Sequence, residues 1–443
     1  MKRICILFST AIFLIVCLTL VGCGGPSKDT LYILSYKPEY TEFFEEVNKV
    51  FLEENPEIKK IDYKCVDTND YNTVFTSRIN SKYLDVFTSE VTYMMQGHNN
   101  YMAELPIESF SDIQDKYLEL GSFYDPSSSK DPKLYTIPME EVANVVFYNK
   151  NIFSEYGLEV PTTWDEFINI LEVFDDASIN HKLGKTHIAS PLIFGGKSEW
   201  PSMTMLNAVV ADTVSEDFFN AITNYKDGDT ISFTGSDWTD SISKVKTLAN
   251  YIDKSEYGID YSFAASYFST GNKTVSPTKY YPMMIDGTWA YSQIKGDFEV
   301  GAFALPASNE NSSKKNLPTK CGVSLSVFNK SNKIDYAIKY LELCFRDDMY
   351  KKFIEFTKTP SIKDTINQDN QLITSIFDSN KYNFISAYDS RMPRYFPIVN
   401  SSSLISVMKG ELSVDKLLSD LQEQVNLSKE DWKKYTNLKH KKD

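Results

Sequence analysis

Two adjacent glutamates, Glu140 and Glu141, are the residues of this sequence whose types would suit a pair of catalytic acids. They fall in a stretch whose pattern predicts a β-strand, and neighbouring residues of a strand point to opposite faces of the sheet. The two carboxylates therefore cannot face one substrate as a general acid and a general base. One of them reaching a ligand as a hydrogen-bond acceptor fits this spacing better. We expect a binding role here and no catalytic residue.

The histidines and the known nucleophile motifs give no sign of other chemistry. None of the four histidines, at positions 98, 181, 187 and 440, has the spacing of a metal ligand from another His, a Cys or an acidic cluster. The sequence has no Gly-Lys-Thr phosphate loop and no Gly-x-Ser-x-Gly elbow. We therefore expect no metal ion, no cofactor and no enzymatic activity.

Polar and aromatic residues follow two predicted strands at their carboxyl ends. The apolar run from Leu31 to Tyr36 predicts the first strand, and the run from Leu84 to Phe87 predicts another. Open α/β sheets bind ligands at the carboxyl ends of their strands. The candidate ligand-binding residues at these two ends are Tyr36, Glu39, Ser89, Glu90 and Tyr93.

Aromatic residues make up 14% of the chain, and this content favours one class of ligand. Sugars present apolar C–H faces and a rim of hydroxyls. A site for them needs flat rings to stack on, together with carboxylates or amides that form hydrogen bonds. Most of the 28 Tyr and 28 Phe residues are expected to be core, so position has to select the few that bind.

The elements that must position such residues are clearest between Leu134 and Phe167, which reads LYTIPMEEVANVVFYNKNIFSEYGLEVPTTWDEF. The order is a turn, two strands, a short helix, a Gly-Leu turn and a second helix. Thr163 followed three residues later by Glu166 is a capping box, which marks the start of that second helix. Apolar residues then recur along one helical face, at Phe167, Ile170, Leu171 and Phe174.

This stretch resembles a signature of the extracellular solute-binding proteins (family 1, sugar-binding type) that serve ABC importers. The resemblance extends over nearly all of the chain after its N-terminal segment. It implies an α/β fold with two lobes, a type II periplasmic-binding-protein-like clamshell whose lobes are joined by three hinge crossings. The crossings are placed near residues 138–142, 320–326 and 388–393. The predicted ranges are 31–138 and 326–388 for lobe 1, and 142–320 and 393–443 for lobe 2.

The resemblance also selects aromatic residues for the ligand site. Trp289 stands where the family places a stacking indole in a Gly-x-Trp motif, although a packed core tryptophan is the alternative. Trp200, in a loop after two glycines, matches a second aromatic region. Tyr395 and Phe396 match a cluster that follows the third crossing. With Glu140 or Glu141 as acceptors, these residues complete the predicted site.

The N-terminus predicts export and a lipid anchor. Lys2 and Arg3 precede an almost entirely apolar run, which is the pattern of a signal peptide over residues 1–22. Cys23 follows Leu-Val-Gly and resembles the bacterial lipobox, in which the cysteine carries acyl chains. Residues 23–30 would then be a short lipidated tether. An uncleaved transmembrane anchor is the alternative, because about 18 apolar residues can just span a bilayer.

Charge and cysteine content restrict the partners. The formal net charge is −14, which argues against nucleic acid because phosphates need a basic surface. Beyond Cys23, the cysteines after the predicted signal peptide are Cys65, Cys321 and Cys344, an odd number that implies no disulfide framework. We expect a monomer on the outer face of the cell membrane. Its expected partners are a small-molecule ligand and an ABC permease complex.

One enzyme alternative shares some of these features. Thiaminases of the first type resemble this chain at Tyr36-x-Pro38, at Leu84 to Phe87 and at the Phe147-Tyr148 strand end. Their nucleophilic cysteine would fall at Val142, and a valine cannot attack an electrophilic carbon. The prediction is therefore a receptor for a carbohydrate, most simply an oligosaccharide. The alternatives are a thiaminase-like enzyme and a receptor for a thiamine-like or other cationic molecule.

Overall fold

The computed structural model describes residues 25–90, 100–123, 131–181, 184–223, 225, 230–310, 312–367, 369–392 and 398–429. Several predictions fall outside these ranges: the signal peptide, the lipidated Cys23, and the candidate ligand residues Tyr93, Tyr395 and Phe396. None of the helices in the described ranges is both long and apolar enough to cross a membrane.

The first of two mixed sheets has five strands in the order β2-β1-β3-β12-β6. Strands β1, β2 and β3 are parallel, while β12 runs antiparallel to both β3 and β6. The bounds are Thr30–Ser35 (β1), Lys60–Cys65 (β2), Val86–Ser89 (β3), Thr136–Pro138 (β6) and Ser324–Val327 (β12). Strands β4 (Ser122–Phe123) and β5 (Lys133–Leu134) pair separately.

The second sheet has the order β13-β11-β7-β9-β8, and β10 also pairs with β7. Its long central strand β7 is antiparallel to β9, β10 and β11. The bounds are Glu141–Asn149 (β7), Leu192–Ile193 (β8), Met283–Gly287 (β9), Val300–Phe303 (β10), Lys315–Cys321 (β11) and Tyr382–Ser386 (β13).

Helices cover the sheets, and the one that begins after Thr163 shows how the sequence sets a helix start. The side chain of Thr163 accepts a hydrogen bond from the Glu166 amide, as the capping box predicts. The carboxylate of Glu166 accepts from the amide of Thr162, one residue earlier than in the standard box. The predicted apolar face is also confirmed, because Phe167, Ile170, Leu171 and Phe174 are all buried.

The helices that pack mainly with the first sheet are α1 (Thr41–Glu54), α2 (Thr68–Ser81), α3 (Asp115–Leu120), and, later in the chain, Ile334–Phe345 and Asp347–Thr357. Those that pack with the second sheet are α4 (Lys150–Tyr156), α5 (Trp164–Ile179), α6 (Pro201–Thr213), α7 (Glu216–Thr223), α8 (Ser236–Ala249) and α9 (Tyr261–Thr270). In chain order, Ile334–Phe345 is α10 and Asp347–Thr357 is α11. The remaining helices are α12 (Gln371–Ile376), α13 (Tyr388–Arg391), α14 (Ser401–Met408) and α15 (Val414–Leu427).

The chain passes directly from one sheet to the other at two places. β6 of the first sheet ends at Pro138, and β7 of the second begins at Glu141. β11 of the second sheet ends at Cys321, and β12 of the first begins at Ser324. The amide of Gly322 donates to the carbonyl of Glu140, so the two connecting segments lie side by side.

The third passage lies earlier than predicted. The range 326–388 for lobe 1 included β13, but β13 pairs in parallel with β11 and so belongs to the second sheet. Upstream of it, Ile373 of α12 is buried with Val142 and Phe147 of β7, whereas Ile366 is still buried with the first sheet's core. The passage therefore falls between Ile366 and Ile373, and not at residues 388–393. The other predicted bounds stay predictions.

Candidate functional site

Glu140 sits on the segment that joins β6 to β7, at the place where the two sheets meet. Its side chain is fully buried, and Gly322 lies directly behind it: a Cβ at Gly322 would come within 2.5 Å of the Glu140 Oε1 atom. Neither carboxylate oxygen has a hydrogen-bond partner among the described residues. The Tyr40 hydroxyl and the Val323 amide still lie close enough to lower its pKa, so Glu140 is a buried acceptor whose hydrogen-bond set is incomplete.

Lys37, Glu39 and Tyr40 approach Glu140 from the carboxyl end of β1. A short 3-10 helix, Pro38–Tyr40, begins with a proline in its first turn, a position where proline's fixed φ suits a helix. Tyr40 and Glu39 both influence the pKa of Glu140, which places them beside it. The Tyr40 hydroxyl and both Glu39 oxygens are buried without a hydrogen-bond partner.

Trp289 reaches the same place from the second sheet. It lies in a 3-10 helix, Thr288–Gln293, that follows β9 directly. The Thr288 hydroxyl accepts a hydrogen bond from the Ala143 amide (3.2 Å), which ties this turn to β7. The indole folds back over Gly287, where an added Cβ would come within 2.1 Å of the ring. Only glycine allows this close approach.

Trp200 and Tyr261 extend the aromatic surface that begins at Trp289. The Trp200 ring centroid lies 5.7 Å from that of Trp289 and 4.9 Å from that of Tyr261, and both pairs meet edge to face. Such geometry is favourable for aromatic pairs. Tyr261 faces the first sheet as well, because Glu39 and Asp67 are among the groups that raise its pKa. The three rings form one wall.

Asp286 completes a group of acids around Lys37. Burial raises the pKa of Asp286 to about 7, although the Gly287 amide and the Lys37 ammonium act in the opposite direction. Burial likewise raises the pKa of Glu140 to about 7, again opposed by Lys37. Because water is excluded, each carboxyl has lost solvation that the protein only partly replaces. We call the region lined by Glu39, Glu140, Asp286, Trp200 and Trp289 the cleft.

Unsatisfied buried polar atoms concentrate in the cleft. Seven of the thirteen such side-chain atoms in the described part of the chain belong to five residues: Glu39, Tyr40, Glu140, Trp200 and Trp289. Leaving a buried polar group without a partner costs roughly 1–3 kcal/mol, so native proteins contain few of them. A cluster that pairs three acceptor or hydroxyl groups with two indole N–H donors is suited to a ligand rich in hydroxyls.

Other predicted site residues bond to the protein itself. The Tyr36 hydroxyl donates to Glu90 (3.0 Å), and the Ser89 hydroxyl bonds to those of Ser326 (2.8 Å) and Thr136 (3.2 Å) within the first sheet. Glu141 forms an ion pair with Lys116 (3.0 Å) on α3, so it points away from Glu140 as the strand pattern predicts. Of the described candidates, the structure brings together Glu39, Glu140, Trp200 and Trp289.

Four residues in or beside the cleft were not predicted: Lys37, Tyr40, Asp286 and Tyr261. Asp286 and Lys37 carried a usable signal, because each lies within three residues of a predicted site residue. Tyr40, next to the predicted Glu39, carried the same signal, whereas Tyr261 had none among the many tyrosines of the chain. Trp238, which is not part of the cleft, is 1% exposed within α8.

A core residue, Val142, occupies the position where the nucleophilic cysteine of the thiaminases would fall. Val142 is fully buried in the cluster that includes Phe147 and Trp289. Its strand neighbour across the sheet is Lys320, and the adjacent Cys321 is buried too. Burial raises the pKa of the Cys321 thiol to about 12, which leaves little of the reactive thiolate. Within the described residues, no group of three or more His, Cys, Asp or Glu side chains could hold a metal ion.

Comparison with solved structures shows the fold. A chitin oligosaccharide binding protein matches with a TM-score of 0.74 at 15% identity, covering 91% of this chain and 100% of that one. RafE in complex with raffinose matches at 0.67 and 20%, covering 90% and 99%. A sugar transporter of Bacillus licheniformis in complex with stachyose matches at 0.68 and 16%, covering 90% and 99%. The predicted two-lobed α/β clamshell is confirmed.

Sequence comparison gives the family. A multiple sugar-binding protein of Streptococcus mutans is 21% identical over 357 residues, which is 77% of each chain. A probable sugar-binding periplasmic protein of Rhizobium meliloti is 27% identical over 123 residues, 28% of this chain and 26% of the relative. The family model described as bacterial extracellular solute-binding protein matches residues 36–351. The chain therefore belongs to the bacterial extracellular solute-binding proteins, as the resemblance in its sequence predicts.

Proposed function

We propose that this protein is a cell-surface receptor that binds a carbohydrate, most simply an oligosaccharide, in the cleft and delivers it to an ABC importer. The observation that carries the proposal is the meeting of an aromatic wall with unused buried polar groups. Trp289, Trp200 and Tyr261 supply the wall. Glu39 and Glu140 supply carboxylate oxygens that no described residue satisfies.

The chemistry of a sugar matches both parts of the cleft. A pyranose ring buries its C–H face on an indole, which contributes apolar contact in a fixed geometry. Its hydroxyls donate to carboxylates, and hydrogen bonds to charged groups are worth about 1.5–3 kcal/mol. Because the cleft groups are already out of water, the ligand satisfies them without a further desolvation cost on the protein side.

The relatives support the same ligand class. The sequence relatives reported above are named as sugar-binding proteins, and two of the solved structures contain raffinose or stachyose. All of these share the two-lobed fold or the family pattern with this chain. A wall of three aromatic rings offers enough surface for two or more sugar units, so an oligosaccharide suits it better than a monosaccharide.

A cationic ligand is the second candidate, and a specific observation favours it. Glu39, Glu140 and Asp286 bring three acids beside aromatic rings, and such a surface attracts a positive charge. Lys37 is the cation already present there. A thiamine-like molecule or a polyamine would fit this chemistry, so both belong in the test. The family is one of binding proteins, and with Val142 at the nucleophile position we propose no turnover.

The ligand test uses the purified protein without its N-terminal 22 residues. Raffinose, stachyose, chitin oligosaccharides, thiamine and spermidine are screened by thermal shift, since a ligand at about one hundred times its Kd adds ~2.7 kcal/mol of stability. We expect a sugar to give the largest shift, and mass spectrometry to recover it unchanged. Stabilisation by thiamine or spermidine alone would replace the carbohydrate proposal, and conversion of thiamine would establish an enzyme.

The anchor is proposed on the sequence alone. Cys23 follows a lipobox-like tripeptide, and several acyl chains on one residue hold firmly because each buried CH₂ contributes roughly 0.8 kcal/mol. Labelling cells with a radioactive fatty acid should mark the wild type and leave Cys23→Ser unlabelled. Label retained by Cys23→Ser would contradict lipidation at this residue. Cys65→Ser serves as the control that keeps its label.

A further inference from the structure

Lys37 crosses the cleft. Its backbone follows β1 of the first sheet, where its amide donates to the Ser35 hydroxyl (3.1 Å). Its ammonium lies over the ring of Trp289, which follows β9 of the second sheet, at 5.0 Å from the ring centroid. The same ammonium is 6.0 Å from the centroid of Tyr40. One side chain of the first sheet thus covers the indole of the second.

No carboxylate among the described residues lies within ion-pair distance of this ammonium. The positive charge of Lys37 still acts on Glu140 and Asp286, because it opposes the rise in the pKa of both carboxyls. The contact with the indole is therefore a cation–π contact of a half-buried lysine, supported by nearby carboxyls at longer range. A long, flexible lysine stem allows the ammonium to move while its backbone stays in place.

Little of the Trp289 ring is open: the residue is 7% exposed, and Gly287 lies so close that even a methyl group there would overlap the ring. The ammonium of Lys37 lies over the same ring. Trp200 meets Trp289 edge to face and does not cover it as a stacked ring would. A sugar ring that stacks on Trp289 and the ammonium of Lys37 therefore need the same space.

We infer that Lys37 is an internal occupant of the Trp289 face, which a ligand ring must displace and which thereby sets the affinity of the cleft for neutral ligands. This inference rests on the proposed function for the identity of the ligand. The displaced ammonium has a place to go, since the carboxyls of Glu140 and Asp286 lie nearby. Movement toward them converts a ring contact into charge-assisted hydrogen bonds.

The resting position of Lys37 can be measured without any ligand. Reductive methylation with ¹³C-formaldehyde places NMR-visible methyl groups on every lysine and keeps the positive charge. The Lys37 signal is assigned by its absence in Lys37→Arg. We expect it to be shifted upfield by the ring current of Trp289, and to lose that shift in Trp289→Leu. A Lys37 signal at the position of exposed lysines would overturn the inference, whatever the protein binds.

Displacement is tested with the panel sugar that binds most tightly. Adding it at saturation should return the Lys37 signal toward the position of exposed lysines. Lys37→Met, which keeps the stem and removes the charge, should bind the neutral sugar roughly two- to fivefold more tightly, the range set by a partly exposed cation–π contact. Lys37→Arg keeps a cation over the ring and should not gain affinity.

The matched control is Lys244, whose ammonium lies 5.4 Å from the ring centroid of Trp164, away from the cleft. Lys244→Met removes the same kind of contact, together with an ion pair to Asp240, and should leave sugar affinity unchanged. Affinity that is unchanged or weaker in Lys37→Met would show that Lys37 does not compete with the ligand. A panel without any binding sugar would contradict the proposed function, while the ring-current shift would still decide where Lys37 rests.

Discussion

Glu140 and Glu256 are both fully buried carboxyls, and the difference between their surroundings distinguishes the proposed ligand site from a structural contact. Glu256 lies in the 3-10 helix Lys254–Gly258, and its oxygens accept hydrogen bonds from the Ser190 hydroxyl (2.6 Å) and the Phe194 amide (2.9 Å). Glu140 has no such partner among the described residues. Burial raises the pKa of both, to about 8 for Glu256 and about 7 for Glu140.

The hydrogen bonds of Glu256 help to position the aromatic wall of the cleft in which Glu140 lies. By holding Ser190 and Phe194, Glu256 fixes the chain on either side of β8, just before Gly195. That glycine packs against the backbone of Tyr261, where an added Cβ would be 2.4 Å from the Tyr261 Cα. Trp200 follows a few residues later. The complete hydrogen-bond set of Glu256 thus positions the aromatic wall, whereas the incomplete set of Glu140 is left for whatever enters the cleft.

The largest expected effects come from truncating two tryptophans, Trp238 and Trp289, and they differ in kind. Trp238 is enclosed by other rings, with Phe233 at 4.7 Å and Tyr388 at 5.0 Å, and it is 1% exposed. We expect Trp238→Ala to lower the free energy of unfolding by about 3–5 kcal/mol, as other large core truncations do. Its effect on the affinity of the folded protein should be negligible. Urea denaturation and calorimetric titration measure the two quantities.

Trp289→Ala should reverse this pattern in binding. Loss of an aromatic hot spot typically costs about 2 kcal/mol or more, which is roughly a thirtyfold weaker Kd. Some stability will be lost as well, because Trp289 also packs in the core cluster of Phe147. Full affinity in Trp289→Ala would mean that the ring is core alone and that the site has been misplaced.

The next effect compares one substitution at two positions. Glu256→Gln keeps the size of the side chain but offers a single acceptor where two hydrogen bonds are received, so it should lose about 1–3 kcal/mol of stability. Glu140→Gln breaks no hydrogen bond within the described residues and removes a buried charge, so its stability should hold or rise slightly. Its sugar affinity should fall about tenfold, because a charged acceptor is weakened to a neutral one.

Equal behaviour of Glu140→Gln and Glu256→Gln would show that the two buried acids have the same role. If Glu140→Gln is destabilised as much as Glu256→Gln, then Glu140 is a structural acid with partners of its own. If it keeps full sugar affinity, the ligand does not use this carboxylate. Unfolding midpoints and calorimetric titrations on the same two preparations distinguish these outcomes.

The sequence predicts single helices and strands better than it predicts which of them contact each other. The apolar face of Phe167, Ile170, Leu171 and Phe174 becomes the buried face of a helix, because local periodicity decides it. β13 was missed because it is an edge strand: its residues from Tyr382 to Ser386 are partly or fully exposed, and they carry no hydrophobic alternation.

The cleft depends on contacts that span the chain. Lys37 and Trp289 are far apart in sequence, and nothing in either segment indicates that one covers the other. Trp289 and Trp200 were predicted because a family pattern marks their positions, and Glu140 was predicted only together with Glu141. Tyr261 becomes visible only once α9 is placed beside the first sheet. Pairing across the two sheets is the information that a single sequence lacks.

The smallest expected effect is a change in the pH dependence of stability. Glu140, Asp286 and Glu256 have folded pKa values raised to about 7, 7 and 8, above the ordinary value of an unfolded carboxyl. The folded state therefore binds more protons than the unfolded state between about pH 5 and pH 8. Their contribution to stability is complete below the unfolded pKa and is lost as the pH rises through 7 to 8.

Stability should accordingly fall from pH 5 to pH 8, with a slope below about 1.4 kcal/mol per pH unit for each extra proton bound. The lowered pKa of His187 acts with the opposite sign near pH 6 and reduces the slope slightly. Glu256→Gln and Glu140→Gln should each make the slope shallower. A saturating sugar should remove the Glu140 share, because its hydroxyls favour the charged carboxylate, and leave the Glu256 share intact. Urea midpoints at four pH values, with and without the sugar, measure this. The prediction would be wrong if the sugar reduced the contribution of Glu256 to the slope, or if it left the contribution of Glu140 unchanged. The two buried acids would then not differ as their hydrogen bonds indicate.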